Sequence, residues 1–199
     1  MVGGSSRRAF LRGAGAGVAA VPALGALALG GCGGGSDEVR DEGARLGTVP
    51  ATVPESPGGD AELLNTALAA EHLAIAAYTA TMPLLTGPSL DAGRRFLAQE
   101  RAHAARLRQL VGGLGASAVG PLPSYDFDSP GNEDEVLRLL QRVEQKTVAV
   151  YGGVVPRLAD PVLRTAAATI AATEAEHDAV LRLRLGRWPA PTAFVTGGP

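Results

Sequence analysis

Three observations predict an all-α protein built as a four-helix bundle. Ala and Leu dominate the middle of the chain while aromatic residues make up only 4% of it, a composition that favours helices over strands. Between residues 60 and 186, apolar residues recur at steps of three and four in four separate stretches, the period of a helix with one buried face. Gly, Pro and capping residues punctuate the intervals between those stretches. At 199 residues, 46% hydrophobic and 19% charged, the chain suits one folded domain plus a targeting segment. The net charge is −2 and the Lys and Arg residues are scattered, which argues against a nucleic-acid partner.

Residues 1–32 read as an address. Arg7 and Arg8, with Phe10 and Leu11 behind them, precede an apolar Gly/Ala/Leu run from Gly13 to Gly31. A charged start followed by an apolar stretch is an export signal, and the arginine pair resembles the twin-arginine type. Leu29-Gly30-Gly31-Cys32 resembles a lipobox. Cys32 is the only cysteine, so neither a disulfide nor a Cys-based zinc site is available, and lipidation gives it a role. The alternative is an uncleaved apolar anchor that contains a Cys. Both readings tether the protein to the outer side of the bacterial plasma membrane. Residues 33–60, rich in Gly, Pro, Ser and acidic residues, read as a flexible linker.

The bundle is expected over residues 61–186. Asp60 reads as the N-cap of a first helix that ends near Met82, ahead of Pro83. Gly87 and Pro88 read as a turn, with a second helix from about Asp91 to Val111, stopped by Gly112 and Gly113. The proline- and glycine-rich stretch 114–131 is a long crossover. Asn132 caps a third helix, whose end is ambiguous near Gly152, Gly153 and Pro156. Asp160-Pro161 opens the fourth, which ends near Leu185, and residues 187–199 form an irregular tail. Two helical hairpins joined by a long crossover result.

Each apolar stripe carries a glutamate where an apolar residue belongs: Glu71, Glu100, Glu144 and Glu174 in chain order. Four buried carboxylates need protonation, an Arg partner or cations; no Arg or Lys lies on the inward stripes, so metal ions are the economical answer. Glu100-x-x-His103 and Glu174-x-x-His177 each place a carboxylate and an imidazole one turn apart on one face. Two of three histidines meeting a Glu at that offset by chance is roughly a one-in-a-hundred event. The halves echo one another: Glu71 to Glu100 spans 29 residues, Glu144 to Glu174 spans 30, and Tyr78 and Tyr151 each follow a single Glu by seven. The tyrosines read either as hydrogen-bond partners of the carboxylates or as ordinary core residues. His72, beside Glu71, reads as a neighbour of the site or an exposed residue, and Glu176 and Asp178 as solvated.

These motifs, with Leu64-Asn65-Thr66-Ala67-Leu68-Ala69-Ala70-Glu71-His72-Leu73 and Ala172–Arg182, resemble the ferritin-like superfamily, and within it the exported twin-arginine ferritin-like domain proteins. The resemblance implies two iron or manganese ions bridged by Glu100 and Glu174, with Glu71 and His103 completing one site and Glu144 and His177 the other. It also implies dioxygen or peroxide as reactants, besides the membrane anchor and a homodimer as partners. Three functions follow as expectations: an oxidoreductase, a non-catalytic metal-binding or structural lipoprotein, and a metal-free bundle that presents a partner surface.

Overall fold

The computed structural model describes residues 59–197. The export signal, Cys32 and nearly all of the linker lie outside the described residues. Four helices follow one another: α1 (Asp60–Thr81), α2 (Gly87–Gly113), α3 (Glu133–Val154) and α4 (Pro161–Arg184). No strand occurs among the described residues, and no described helix is long and apolar enough to cross a membrane. Helix α1 packs on α2 and α3, and α3 packs on α4; α2 and α4 meet more sparsely. The result is the expected four-helix bundle of two hairpins joined by a crossover.

The helix ends depart from expectation in instructive ways. Gly59, not Asp60, is the N-cap of α1. The Asp60 carboxylate instead accepts from the backbone N–H groups of Ala159 at 2.8 Å and Asp160 at 3.0 Å, tying the start of α1 to the α3–α4 turn. Helix α2 begins at Gly87 rather than near Asp91, because Pro88 sits within its first turn, where a missing N–H is harmless. Gly112 and Gly113 do not stop it. The stop comes at Gly115, whose φ of +73° accompanies hydrogen bonds from Ala116 N to Val111 O and from Gly115 N to Gly112 O. That is a Schellman closure, in which a left-handed residue lets the chain turn back onto the last carbonyls. Helix α4 closes the same way through Gly186, with Arg187 N bonding Arg182 O.

Asn132 caps α3 by accepting from Glu135 N, and Asp160 caps α4 by accepting from Val162 N and Leu163 N. Helix α3 runs through Gly152 and Gly153 and tightens into a 3₁₀ turn at Val155–Arg157, as α1 does at Met82–Leu84. Each 3₁₀ turn has its proline in second place, at Pro83 and Pro156.

The crossover lies along α1. Asn65 holds it from both sides, donating to Ser117 O at 3.0 Å and accepting from Val119 N at 2.8 Å. Helix α1 is therefore covered on most of its surface, and its buried residues run nearly all round: Leu63, Leu64, Ala67, Leu68, Ala70, Leu73, Ala74 and Ala77 among them. A helix apolar on most sides is a central helix. At the α1–α2 junction, Gly93 lets Leu85 approach so closely that a Cβ there would lie 2.8 Å from it.

Candidate metal centre

The four glutamates fall at one level of the bundle, and all four are completely buried. Single-Glu helices α1 and α3 contribute Glu71 and Glu144, while α2 and α4 contribute Glu100 with His103 and Glu174 with His177. The structure thus brings together all six residues singled out in the sequence. Their ligand-type atoms form two overlapping groups that could hold a metal ion, each within a 4.8 Å span: Glu71, Glu100, His103 and Glu174, and Glu100, Glu144, Glu174 and His177. Glu100 and Glu174 belong to both groups; Glu71 and Glu144 belong to one each.

Distances repeat this partition. His103 Nδ1 lies 2.8 Å from Glu174 Oε1, 3.6 Å from Glu71 Oε2 and 3.8 Å from Glu100 Oε2. His177 Nδ1 lies 3.0 Å from Glu100 Oε1 and 3.5 Å from both Glu144 Oε1 and Glu174 Oε2. Short as some of these separations are, none has the alignment of a hydrogen bond. Nine buried side-chain atoms lack a hydrogen-bond partner among the described residues, and eight of them belong to these six side chains. Buried polar atoms without partners are rare and costly, and this concentration falls on the residues that could hold a metal ion.

Charge is divided unevenly in the metal-free site. Burial pushes the Glu71 and Glu144 carboxyls well above the usual range, and neighbouring carboxylates add to it. Burial also opposes ionisation of Glu100, but His103 and His177 outweigh it and hold this carboxyl at about 2. The histidines show the reverse balance. Burial disfavours the imidazolium, yet the surrounding glutamates raise His103 to about 12 and His177 to about 11. Without metal, protons are therefore the cations of the site.

Tyr78 donates to Glu144 Oε1 and Tyr151 donates to Glu71 Oε1, so each tyrosine partners the single glutamate of the opposite half. Burial, then the adjoining glutamate, raises both phenols well above their usual value, which keeps them protonated as donors.

Two residues beyond the six and the tyrosines act on the site. His177 Nε2 lies 3.0 Å from Gln99 Oε1; an amide oxygen only accepts, so Nε2 donates to it and Nδ1 faces the carboxylates. Phe96 stacks on the His177 ring with centroids 4.0 Å apart. Sequence reasoning passed over both, since Phe96 reads as core and a glutamine has no motif.

Two other expectations fail. His72 is neither exposed nor a neighbour of the centre: it is buried, with Nε2 3.2 Å from Val119 O on the crossover, and burial lowers its pKa. Asp178 is buried as well, accepting from Gln141 at 3.2 Å and Arg182 at 2.8 Å. Glu176 is exposed as expected.

Six carboxylate and imidazole side chains converging between two hairpins place the molecule among the carboxylate-type helical bundles. The ferritin-like domain family matches residues 59–187, and the chain belongs to that family. Among solved structures it is similar to a conserved hypothetical protein from Mycobacterium tuberculosis, with 24% identity and a TM-score of 0.60 over 68% of this chain and 96% of that one. It is also similar to a ferritin-like, diiron-carboxylate protein from Bacillus anthracis str. Ames, with 22% identity and a TM-score of 0.53 over 63% and 94%. Both likenesses are likenesses of fold. Among curated proteins, no sequence matches significantly.

Proposed function

We propose that this protein binds a dinuclear iron or manganese centre through Glu71, Glu100, His103, Glu144, Glu174 and His177. The observation that carries this reading is the set of eight buried, partnerless oxygen and nitrogen atoms on those six side chains. Mixed carboxylate and imidazole donors suit iron and manganese. Glu100 and Glu174 would be shared by both ions, Glu71 and His103 would serve one, and Glu144 and His177 the other. Such ions, when bound, supply electron transfer to dioxygen or peroxide, or undergo oxidation themselves.

The protein's own groups prepare the site. Tyr78 and Tyr151 fix the single glutamates by one oxygen and leave the other oxygen of each buried without a hydrogen-bond partner. Gln99 keeps the His177 proton on the outer nitrogen. Protons on Glu71, Glu144 and both histidines must leave as metal enters, so uptake is coupled to proton release. The first test is metal content of the purified full chain by mass spectrometry, beside Glu100→Ala and His177→Ala. About two ions per chain, lost in both variants, is the outcome expected of this ligand set. A cooperatively folded wild-type chain that takes up none would sink the reading.

A second reading keeps the metals without catalysis, as a metal-binding or structural lipoprotein. It is favoured by the position of the centre between two apolar clusters, where cations would brace the bundle. Stopped-flow mixing of the ferrous protein with dioxygen or peroxide separates the two, because only the oxidoreductase gives turnover.

Export through the twin-arginine route and tethering through Cys32 complete the proposal. Support comes from Arg7-Arg8, the apolar run and the Leu29–Cys32 motif, which lie outside the described residues. Lysines in place of Arg7 and Arg8 should leave the protein in the cytoplasm, and Cys32→Ala should free it from the membrane fraction. Unchanged fractionation of both variants would remove this part.

A further inference from the structure

The two halves of the bundle correspond at an offset of 73 residues along α1 and α3, as Glu71 to Glu144 and Tyr78 to Tyr151, and of 74 along α2 and α4, as Glu100 to Glu174 and His103 to His177. At the latter offset the counterpart of Phe96 is Ile170, and that of Gln99 is Thr173. The correspondence breaks at these two positions, both next to the centre. The Thr173 hydroxyl turns back towards Thr169 O of its own helix, 3.4 Å away. Among the described residues, no side chain holds the His103 ring as Gln99 holds His177.

Solvent access breaks with it. The His177 side chain is 2% exposed beneath Phe96, while His103 is 13% exposed. His103 borders a groove of about 670 Å³ between α2 and α4, with Ala102 and Arg106 on one wall and Ile170, Ala166 and Thr169 on the other. An isoleucine where the sealed side has a phenylalanine leaves this face open. The site that the Glu71–His103 group faces is thus both less constrained and nearer to water.

We propose that the dinuclear centre is functionally unequal: the His177 half is the retained position, fixed by Gln99 and capped by Phe96, and the His103 half is the exchangeable position, where metal enters and where small exogenous ligands reach the centre through the α2–α4 groove. Gln99 is a positioning residue in this scheme, because it acts only through His177. The inference rests on the metal reading above, and the test separates the two.

Anaerobic titration of the metal-free full chain with iron(II) or manganese(II), followed by calorimetry, should show two steps of different affinity. Gln99→Leu should weaken the tighter step by roughly 10–100-fold, the usual effect of removing a group that orients a ligating histidine, and leave the weaker step in place. Gln99→Glu, which keeps an acceptor at that position, should restore it; a merely structural role would not distinguish the two variants. Ile170→Phe should close the groove, so that the absorption change on adding azide to the loaded protein is lost while about two ions remain bound. Should Ile170→Phe fail to fold, Ile170→Met narrows the groove with less bulk and should slow the azide reaction. Two equal binding steps that Gln99→Leu weakens alike, or an azide response untouched by filling the groove, would overturn the inequality and leave the dinuclear centre standing. No metal uptake by the folded wild-type chain would overturn both.

Discussion

On one side of the centre the bundle is filled by Leu64, Leu68, Leu107, Val150 and Leu163, and on the other by Leu73, Phe96, Leu140, Val143 and Leu181. Between these clusters, the same four helices set four glutamates and two histidines at one level. The aliphatic side chains of these clusters carry no polar atom to satisfy, so they need nothing beyond close packing with one another. The polar level is not complete: its donor atoms are in place and mostly lack partners. A fold can therefore hold an unfinished layer if finished ones clamp it on both sides.

The largest test of that contrast is metal itself. Iron(II) or manganese(II) at about a thousand times its dissociation constant should stabilise the protein by about 4 kcal/mol, seen as a shift in the denaturation midpoint that chelator reverses. Glu100→Ala should abolish the shift.

The pH dependence of the metal-free protein sharpens the same point. Glu71 and Glu144 are raised above 4.5 in the folded state, and His103 and His177 are raised above 6.5. Folding then takes up protons, so their contribution is full below those unfolded values and falls as pH rises towards the folded ones. Glu100, lowered from 4.5 to about 2, contributes in the opposite sense, and its part is lost as pH falls below 4.5. Melting temperature of the metal-free chain should thus decline from about pH 5 to about pH 9. Metal affinity should climb over the same range, because ligands must shed protons. A metal-free melting curve that rises with pH would break the assignment of protons to the site.

In the aliphatic layers the expectation differs. Leu68→Ala should cost about 3 kcal/mol through the cavity it leaves, equally with and without metal, and leave the metal content unchanged. If the loss depends on metal, the layers are not independent. A smaller effect, about 1–2 kcal/mol, is expected of Tyr151→Phe in the metal-free protein, where Glu71 loses its donor; Tyr78→Phe should match it. The smallest is Asn132→Ala, about 1 kcal/mol from a lost helix cap, with no change in metal binding.

Much of this was legible in the sequence. Helical period placed the four glutamates inward, and the two Glu-x-x-His pairs gave the helices their order. What escaped lies in contacts between helices. Gln99 reaches His177 across the α2–α4 interface, and neither periodicity nor spacing reports such a pairing. Asp178 was misjudged because 100° per residue from His177 leads here to the α3 interface rather than to solvent, where Gln141 and Arg182 satisfy it. Gly112 and Gly113 looked like a stop because glycine is common there; only a left-handed φ decides, and Gly115 has it.

The crossed tyrosines have an evolutionary consequence. Tyr78 serves a glutamate of the second half and Tyr151 one of the first, so neither half can drift alone. A change at Glu144 alters what Tyr78 must do, 66 residues away, and its tolerance is set by a site on the other hairpin. Mutations in the two halves should therefore show epistasis in matched pairs, with Tyr78→Phe and Glu144→Gln together costing less than the sum of the two single changes.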